Sequence, residues 1–167
     1  MKTNLQFDFT VNKENNTILI KRAFKAPRKL VWKAWTVASI LDQWWGPKPW
    51  RAITKNMDFR EGGHWLYVMA GPAGEEFWSK VNYLGIQIER SISARDGFCN
   101  DRGEMNPDFP QNDWISLFID EGENTLVDMT LTFDKLEDLE QTIAMGFKEG
   151  FAMGLDQLDE LLNTLDA

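Results

Sequence analysis

Residues 134–166 read DKLEDLEQTIAMGFKEGFAMGLDQLDELLNTLD. Leu136, Leu139, Ile143, Phe147, Phe151, Leu155, Leu158 and Leu162 recur at spacings of three or four, the repeat of one helical face. The spacing predicts a single long helix over Asp134–Asp166, about 45 Å at 1.5 Å per residue. Asp134 is its candidate N-cap, with Glu137 three residues on in an arrangement close to a capping box. Glu137-Asp138, Asp156 and Asp159-Glu160 read as the solvated side of that helix. This apolar stripe must be buried against something, so its partner decides the fold.

The partner is written in the rest of the chain as period two. Leu5–Val11 and Thr17–Phe24 alternate around the turn-rich Asn12–Asn16, which reads as a hairpin; Ile18, Ile20, Arg22 and Phe24 then share one face. From Arg51 to Phe133 the alternation continues: Ile53, Lys55, Met57 and Phe59, then Trp65, Tyr67 and Met69 after the turn Arg60–Gly63. Beyond Gly71–Gly74, Glu76–Ile88 and Glu89–Phe98 read as two more strands. A polar loop follows over Asn100–Asn112. Trp114–Asp120 and Leu126–Phe133 form the last hairpin, around Glu121–Asn124. Between the first hairpin and this run, Leu30, Val31, Ala34 and Trp35 have helical spacing after Pro27, a residue that suits a first helical turn. A second short helix is expected over Ser39–Trp44, with Ser39 or Thr36 near its cap, ended by Gly46-Pro47. The class is α+β: a curved antiparallel sheet of about seven strands, with one face covered by the C-terminal helix.

Gly146, Gly150 and Gly154 are four apart, which stacks them on one face of the expected helix. Each costs roughly 1 kcal/mol relative to alanine in a helix interior. Two readings stay open: close approach of another backbone, or empty volume that leaves room for a guest. A membrane-dimer reading fails, because Glu140, Lys148, Glu149 and Asp156 lie in the same segment.

The totals narrow the function. The chain has 167 residues, one domain's length, with 18 Lys plus Arg against 26 Asp plus Glu and a net charge of −8. An acidic surface repels phosphate backbones, so no nucleic acid is expected. No apolar stretch is long enough for membrane insertion, and the N-terminus has no signal-peptide pattern, which makes the cytoplasm the expected location. One cysteine, Cys99, and one histidine, His64, leave no expected metal site and no cofactor. Eight of the residues are tryptophan, enough to imply a thick core or the walls of a pocket.

Three separated motifs carry a family resemblance across nearly the whole chain. Phe24-Lys25-Ala26-Pro27-Arg28-Lys29-Leu30-Val31-Trp32-Lys33-Ala34-Trp35-Thr36 looks like an F-x-A-P-x-x-x-V-W-x-A-W-T opening. Gln43-Trp44-Trp45-Gly46-Pro47 looks like QWWGP. Asp58–Met69 looks like D-x-R-x-G-G-x-W-x-Y-x-M and is followed by Gly71-Pro72 and Gly74. The chain thereby resembles the START-like domains of the AHSA type, named after the activator of the ninety-kilodalton heat-shock protein's ATPase, within the SRPBCC superfamily. The resemblance implies a helix-grip fold like that of the birch-pollen allergen. In it two small helices close one end, and a hydrophobic cavity often lies between sheet and long helix. It also implies binding of a hydrophobic or amphipathic small molecule, or, as in the namesake, a chaperone partner.

Trp44 and Trp45 diverge by about 100° on a helix, so they cannot point the same way; either both are wedges that fix the small helices to the sheet, or one packs into the core and the other faces a pocket or solvent. Trp65, Tyr67 and Met69 are the strongest pocket candidates, with Trp114, Phe118, Phe147 and Phe151 of the same kind, and Gly150 and Gly154 as cavity-lining positions. Arg22, on an inward face, reads either as a structural ion pair or as an anchor for a ligand carboxylate. His64 and Glu76 read as solvated, and no catalytic residue is assigned. The leading expectation is a cytoplasmic binding protein, as monomer or homodimer. A cyclase- or isomerase-like enzyme would need an ionisable group in the pocket, from among His64, Glu76, Asp58 and Arg22. A chaperone-directed interaction module would need an exposed patch, including Trp50 or Trp78.

Overall fold

In the computed structural model of the chain, which describes residues 5–165, the period-two segments pair into one antiparallel sheet. Its strands are β1 (Phe7–Asn12), β2 (Thr17–Phe24), β3 (Arg51–Asp58), β4 (His64–Ala70), β5 (Glu76–Gln87), β6 (Ser91–Cys99), β7 (Asn112–Glu121) and β8 (Asn124–Phe133), in the order β1-β2-β8-β7-β6-β5-β4-β3. That is eight strands among the described residues, slightly more than expected. Helices α1 (Arg28–Thr36) and α2 (Ala38–Trp44) fill the β2–β3 connection, and α3 (Leu136–Ala144) and α4 (Phe147–Leu162) follow β8. The architecture is the curved-sheet helix grip.

Register explains which residues meet. Ile18, Ile20, Val127, Met129 and Leu131 are fully or almost fully buried on the inner face, across the β2–β8 pairing that sets Ile18 opposite Leu131 and Ile20 opposite Met129. Two irregularities bend the sheet: β3 shifts register between Thr54 and Asn56, and β5 shifts between Tyr83 and Gly85. A bulged residue reverses the facing of everything beyond it. Ile53 is therefore exposed, while Met57 and Phe59 pack against the core, so the four residues Ile53–Phe59 do not share one face as the plain alternation predicted.

The C-terminal stripe is two helices, not one. Gly146 adopts φ 87°, the left-handed region, between α3 and α4. Its N–H donates to the Ile143 carbonyl at 3.0 Å, and its own carbonyl accepts from Gly150 at 3.0 Å, so it ends one helix and starts the next. The three- and four-residue spacing of apolar side chains runs through this break, which is why periodicity alone reads one rod. The expected last residue, Asp166, lies outside the described residues. The expected caps also differ. Lys135, not Asp134, is the α3 N-cap, and Val37, not Ser39 or Thr36, is that of α2; neither makes a side-chain cap bond. Asp134 instead accepts from Arg95 Nη2 at 2.8 Å, and Thr36 Oγ1 donates back to the Trp32 carbonyl at 3.0 Å.

Helix α4 grips the α2–β3 turn as well as the sheet. Gln157 Nε2 donates to the Gly46 and Trp44 carbonyls at 2.8 and 3.2 Å, and its Oε1 accepts from the Lys48 N–H at 2.8 Å. One side chain thus satisfies the carbonyls that a helix end leaves orphaned. The two remaining helical glycines divide the two readings between them. A Cβ at Gly154 would sit 3.2 Å from the Trp44 carbonyl oxygen, so this glycine allows close approach, whereas a Cβ at Gly150 would meet only Pro47 Cγ at 3.7 Å. Gly150→Ala therefore has room and should raise stability by about 0.5–1 kcal/mol through helix propensity, visible as a higher urea midpoint; an unchanged or lower midpoint would contradict that.

Candidate functional site

The QWWGP corner separates its two indoles as helical geometry requires. Trp44 is wholly buried, with Nε1 donating to the Ala34 carbonyl at 2.9 Å. Trp45 turns the other way and donates from Nε1 to the Tyr67 hydroxyl at 2.9 Å. That bond ties the end of α2 to the centre of β4 and sets one wall of a groove of about 480 Å³, between the sheet and the α3–α4 junction. Trp45, Trp50, Tyr67, Met69, Phe77, Phe98, Trp114, Phe147 and Phe151 supply its aromatic and apolar walls. Gly146 and Gly150 keep side chains out of it on the helix side, and Pro47 and Pro110 flank it. The rings interlock edge to face: Trp45 lies 5.7 Å from Phe151 and Trp114 lies 5.6 Å from Phe151, centroid to centroid. Phe147 and Phe151 stack at 5.4 Å.

Seven of the residues singled out from sequence line the groove: Trp45, Tyr67, Met69, Trp114, Phe147, Gly150 and Phe151. Five do not. Trp44 and Gly154 form the α2–α4 packing contact described above. Trp65 lies behind the wall, stacked on Tyr67 at 4.1 Å, with Nε1 donating to Thr54 Oγ1 at 2.9 Å. Phe118 packs edge-on against Trp32 and Trp35, at 5.0 and 5.4 Å, beneath α1. Arg22 takes the ion-pair alternative: Nη1 reaches Asp156 at 2.9 Å, Nη2 reaches Asp159 at 4.0 Å, and its guanidinium sits over the Phe7 and Phe24 rings. Two carboxylates from α4 face this cation.

The groove also holds a residue that sequence reading passed over. Asp96 follows Ile92 and Ala94 on the inner face of β6, and Phe98 follows it, so the same alternation that buries Ile92 and Ala94 and half-buries Phe98 brings a carboxyl inside. Period two alone was enough signal to find it, had the β6 face been read residue by residue. Trp114 Nε1 donates to Asp96 Oδ1 at 3.0 Å. The Asn112 amide, turned so that its NH2 faces Asp96, donates to the same oxygen at 2.9 Å, and its oxygen, 2.7 Å from Trp114 Nε1, shares that one indole N–H with Asp96. Desolvation outweighs these neutral donors and the attraction of the neighbouring Arg95 charge, and the Asp96 carboxyl is pushed up from 3.8 to about 7. Desolvation, then the Asp96 charge, push the Tyr67 phenol up as well, out of the range of physiological titration.

The other ionisable candidates are elsewhere. His64 faces away from the groove wall and shares a 2.6 Å hydrogen bond with Asn56 Oδ1; Asp58 pairs with Arg60 at 2.7 Å on an exposed turn; Glu76 is exposed. Cys99, at the end of β6, has a thiol raised by desolvation, the opposite of what a nucleophile needs. Among the described residues no group of His, Cys, Asp and Glu side chains has the makings of a metal site, and no helix is long and apolar enough to cross a membrane. Trp50 stands at the groove with Phe77 at 5.8 Å, and Trp78 lies half-buried beneath the Lys55 ammonium at 5.5 Å.

The fold is shared with known proteins. The family described as Activator of Hsp90 ATPase homolog 1-like protein matches residues 25–163. Protein Ms6760 from Mycobacterium smegmatis superposes with a TM-score of 0.87 at 27% identity, covering 98% of this chain and 99% of that one. A protein from Arthrobacter aurescens gives 0.88 at 25% identity over 95% and 92% of the two chains. One from Staphylococcus epidermidis gives 0.82 at 28% identity over 95% and 96%. No curated protein matches the chain.

Proposed function

The chain belongs to the Activator of Hsp90 ATPase homolog 1-like family, and from that premise we propose that it binds a small amphipathic molecule in the groove between sheet and α4. Membership suits either a ligand-binding or an activator-like domain. The observation that favours binding is the groove itself: about 480 Å³, walled by aromatic side chains, with a few polar groups (Tyr67, Ser79, Asp96 and Asn112) converging on it. That composition is what small-molecule sites have in common: apolar area for affinity and sparse polar groups for orientation. The glycines at 146 and 150 support the same reading, because side chains there would occupy the space.

The Asp96 carboxyl is also the ionisable group that a cyclase- or isomerase-like enzyme requires. A single carboxyl could move a proton there, with the Tyr67 hydroxyl, pushed up by desolvation, available only as a neutral hydrogen-bond partner; what favours binding over such chemistry is the preponderance of apolar aromatic wall. Binding is therefore the function that the site supports best.

Titration of the purified protein with a neutral bicyclic aromatic alcohol, followed by calorimetry and by tryptophan emission, tests the proposal. Saturable binding that shifts the emission is expected, since Trp45 and Trp114 line the space. Absence of binding across a panel of such probes would remove the receptor reading and leave the activator-like one.

A further inference from the structure

One side chain of the groove wall, Asp96, can carry a formal charge below alkaline pH, and that charge is negative. Among the described lining residues there is no Lys, Arg or His; Asp96 is the one acid. Its hydrogen-bond donors, Trp114 and Asn112, are neutral. The nearest cation, Arg95, is next to it in the chain, and successive side chains on a strand point to opposite faces. Arg95 is already held by Asp113 at 3.1 Å and Asp134 at 2.8 Å. Taken with Asp96 ionised, these four side chains sum to net negative, so Arg95 attracts Asp96 from the far face without neutralising the groove side. From β4 the facing titratable group is Tyr67; from β5, Ser79 and Val81 flank the position and neither titrates; from β7 it is Asp113, beyond the neutral Asn112 and Trp114. From the α3–α4 junction the lining residues are Thr142, Met145, Gly146, Phe147, Gly150 and Phe151, none of them ionisable.

An uncompensated carboxyl beside indole and phenyl rings has a chemical complement. Aromatic rings attract cations through their quadrupole, most strongly where water is excluded, and a carboxylate adds a charge-assisted hydrogen bond. A fatty acid or phosphate would instead bring a second negative charge into a desolvated site. We infer that the groove selects a cationic amine with an apolar body, its ammonium group seated against Asp96 and its body among Trp45, Trp114, Phe147 and Phe151. This inference rests on the binding reading above and names the ligand class. An arriving ammonium favours the ionised form of Asp96, whose charge burial otherwise disfavours, so amine binding and deprotonation of Asp96 are linked.

The test uses three probes of one shape on the intact chain: 2-naphthylmethylamine, 2-naphthylmethanol and 2-naphthoate, titrated by calorimetry. At pH 8 the amine should bind about tenfold or more tightly than the alcohol, as a desolvated cation–π and ion-pair site predicts, and the carboxylate should bind weakest. The amine's advantage should shrink toward pH 5.5 as Asp96 takes up a proton, and Asp96→Asn should abolish it, so that amine and alcohol titrated on that same variant bind alike. An alcohol that binds as well as the amine, or an amine preference that survives Asp96→Asn or shows no pH dependence, overturns the inference and leaves the binding reading in place. Failure of all three probes to bind overturns both.

Discussion

Asp96→Asn is expected to stabilise the protein at pH 8, by about 2–4 kcal/mol, and to leave its stability unchanged at pH 4. The direction follows from proton counting. In the folded chain the Asp96 carboxyl titrates at about 7, whereas in the unfolded chain it returns to 3.8. Between those values the native state holds a proton that the unfolded state has released. Stability contributed by this group is therefore fully present below the lower value and is lost as pH rises through the upper one. At 1.36 kcal/mol per pKa unit the whole interval is worth roughly 4 kcal/mol, and groove water screens part of it. Asparagine resembles the protonated carboxyl in shape and never ionises, so the variant should match the wild type in acid and surpass it in base. For a chain of this length the gain at pH 8 amounts to about 5–10 °C in Tm. The measurement is the difference between the two urea-unfolding curves at several pH values. Most surface carboxylates drive stability the other way, so only the difference isolates Asp96. A difference that does not grow with pH would mean that the carboxyl is ordinary and the groove wet. A group retained at a stability cost inside a binding-shaped space is the pattern that functional sites show.

The architecture was legible because its signals are local and redundant. Alternation in β8 can be read from Val127, Met129, Leu131 and Phe133, and register then follows from that apolar face. The same logic separates Trp44 from Trp45. What escaped reading are features that break a period without altering its apparent phase. Gly146 interrupts the helix while Ile143, Phe147 and Phe151 keep their spacing, so the break is silent in hydrophobicity and visible only in φ. The bulge in β3 moves Ile53 to solvent though it reads like Met57. The fate of Arg22 depends on Asp156 and Asp159, more than a hundred residues away in sequence on α4. Trp65 and Tyr67 sit two apart on one strand face, yet the indole lies behind the wall and the phenol lines it, because Trp45 from another element covers one and bonds the other. The site was half legible for that reason: composition announces aromatic walls, but only the tertiary arrangement divides wall from core.

Trp44→Ala carries the largest expected loss of stability, about 4–5 kcal/mol, against a typical total of 5–15 kcal/mol for a domain. Its side chain has no exposed surface and lies edge-on to Trp35 at 4.7 Å and Trp45 at 5.2 Å. Truncation leaves a cavity among α1, α2 and α4, and it deprives the buried Ala34 carbonyl of its indole donor. The neighbour gives the contrast. Trp45→Ala removes a half-buried wall that already borders open space, and its loss should fall near 2 kcal/mol, since a groove-side void is filled by water. Trp45→Ala should instead abolish probe binding, because the wall and the donor to Tyr67 go together. Urea midpoints and probe titrations on the two variants thus separate clamp from pocket. If Trp44→Ala costs less than about 2 kcal/mol, then α4 is not held through the α2 corner, and the close approach that Gly154 permits has no structural consequence. If it costs the full amount while Gly150→Ala stabilises, two glycines four residues apart on one helix answer to different demands: one to the packing of backbone on backbone, the other to the space left for a guest.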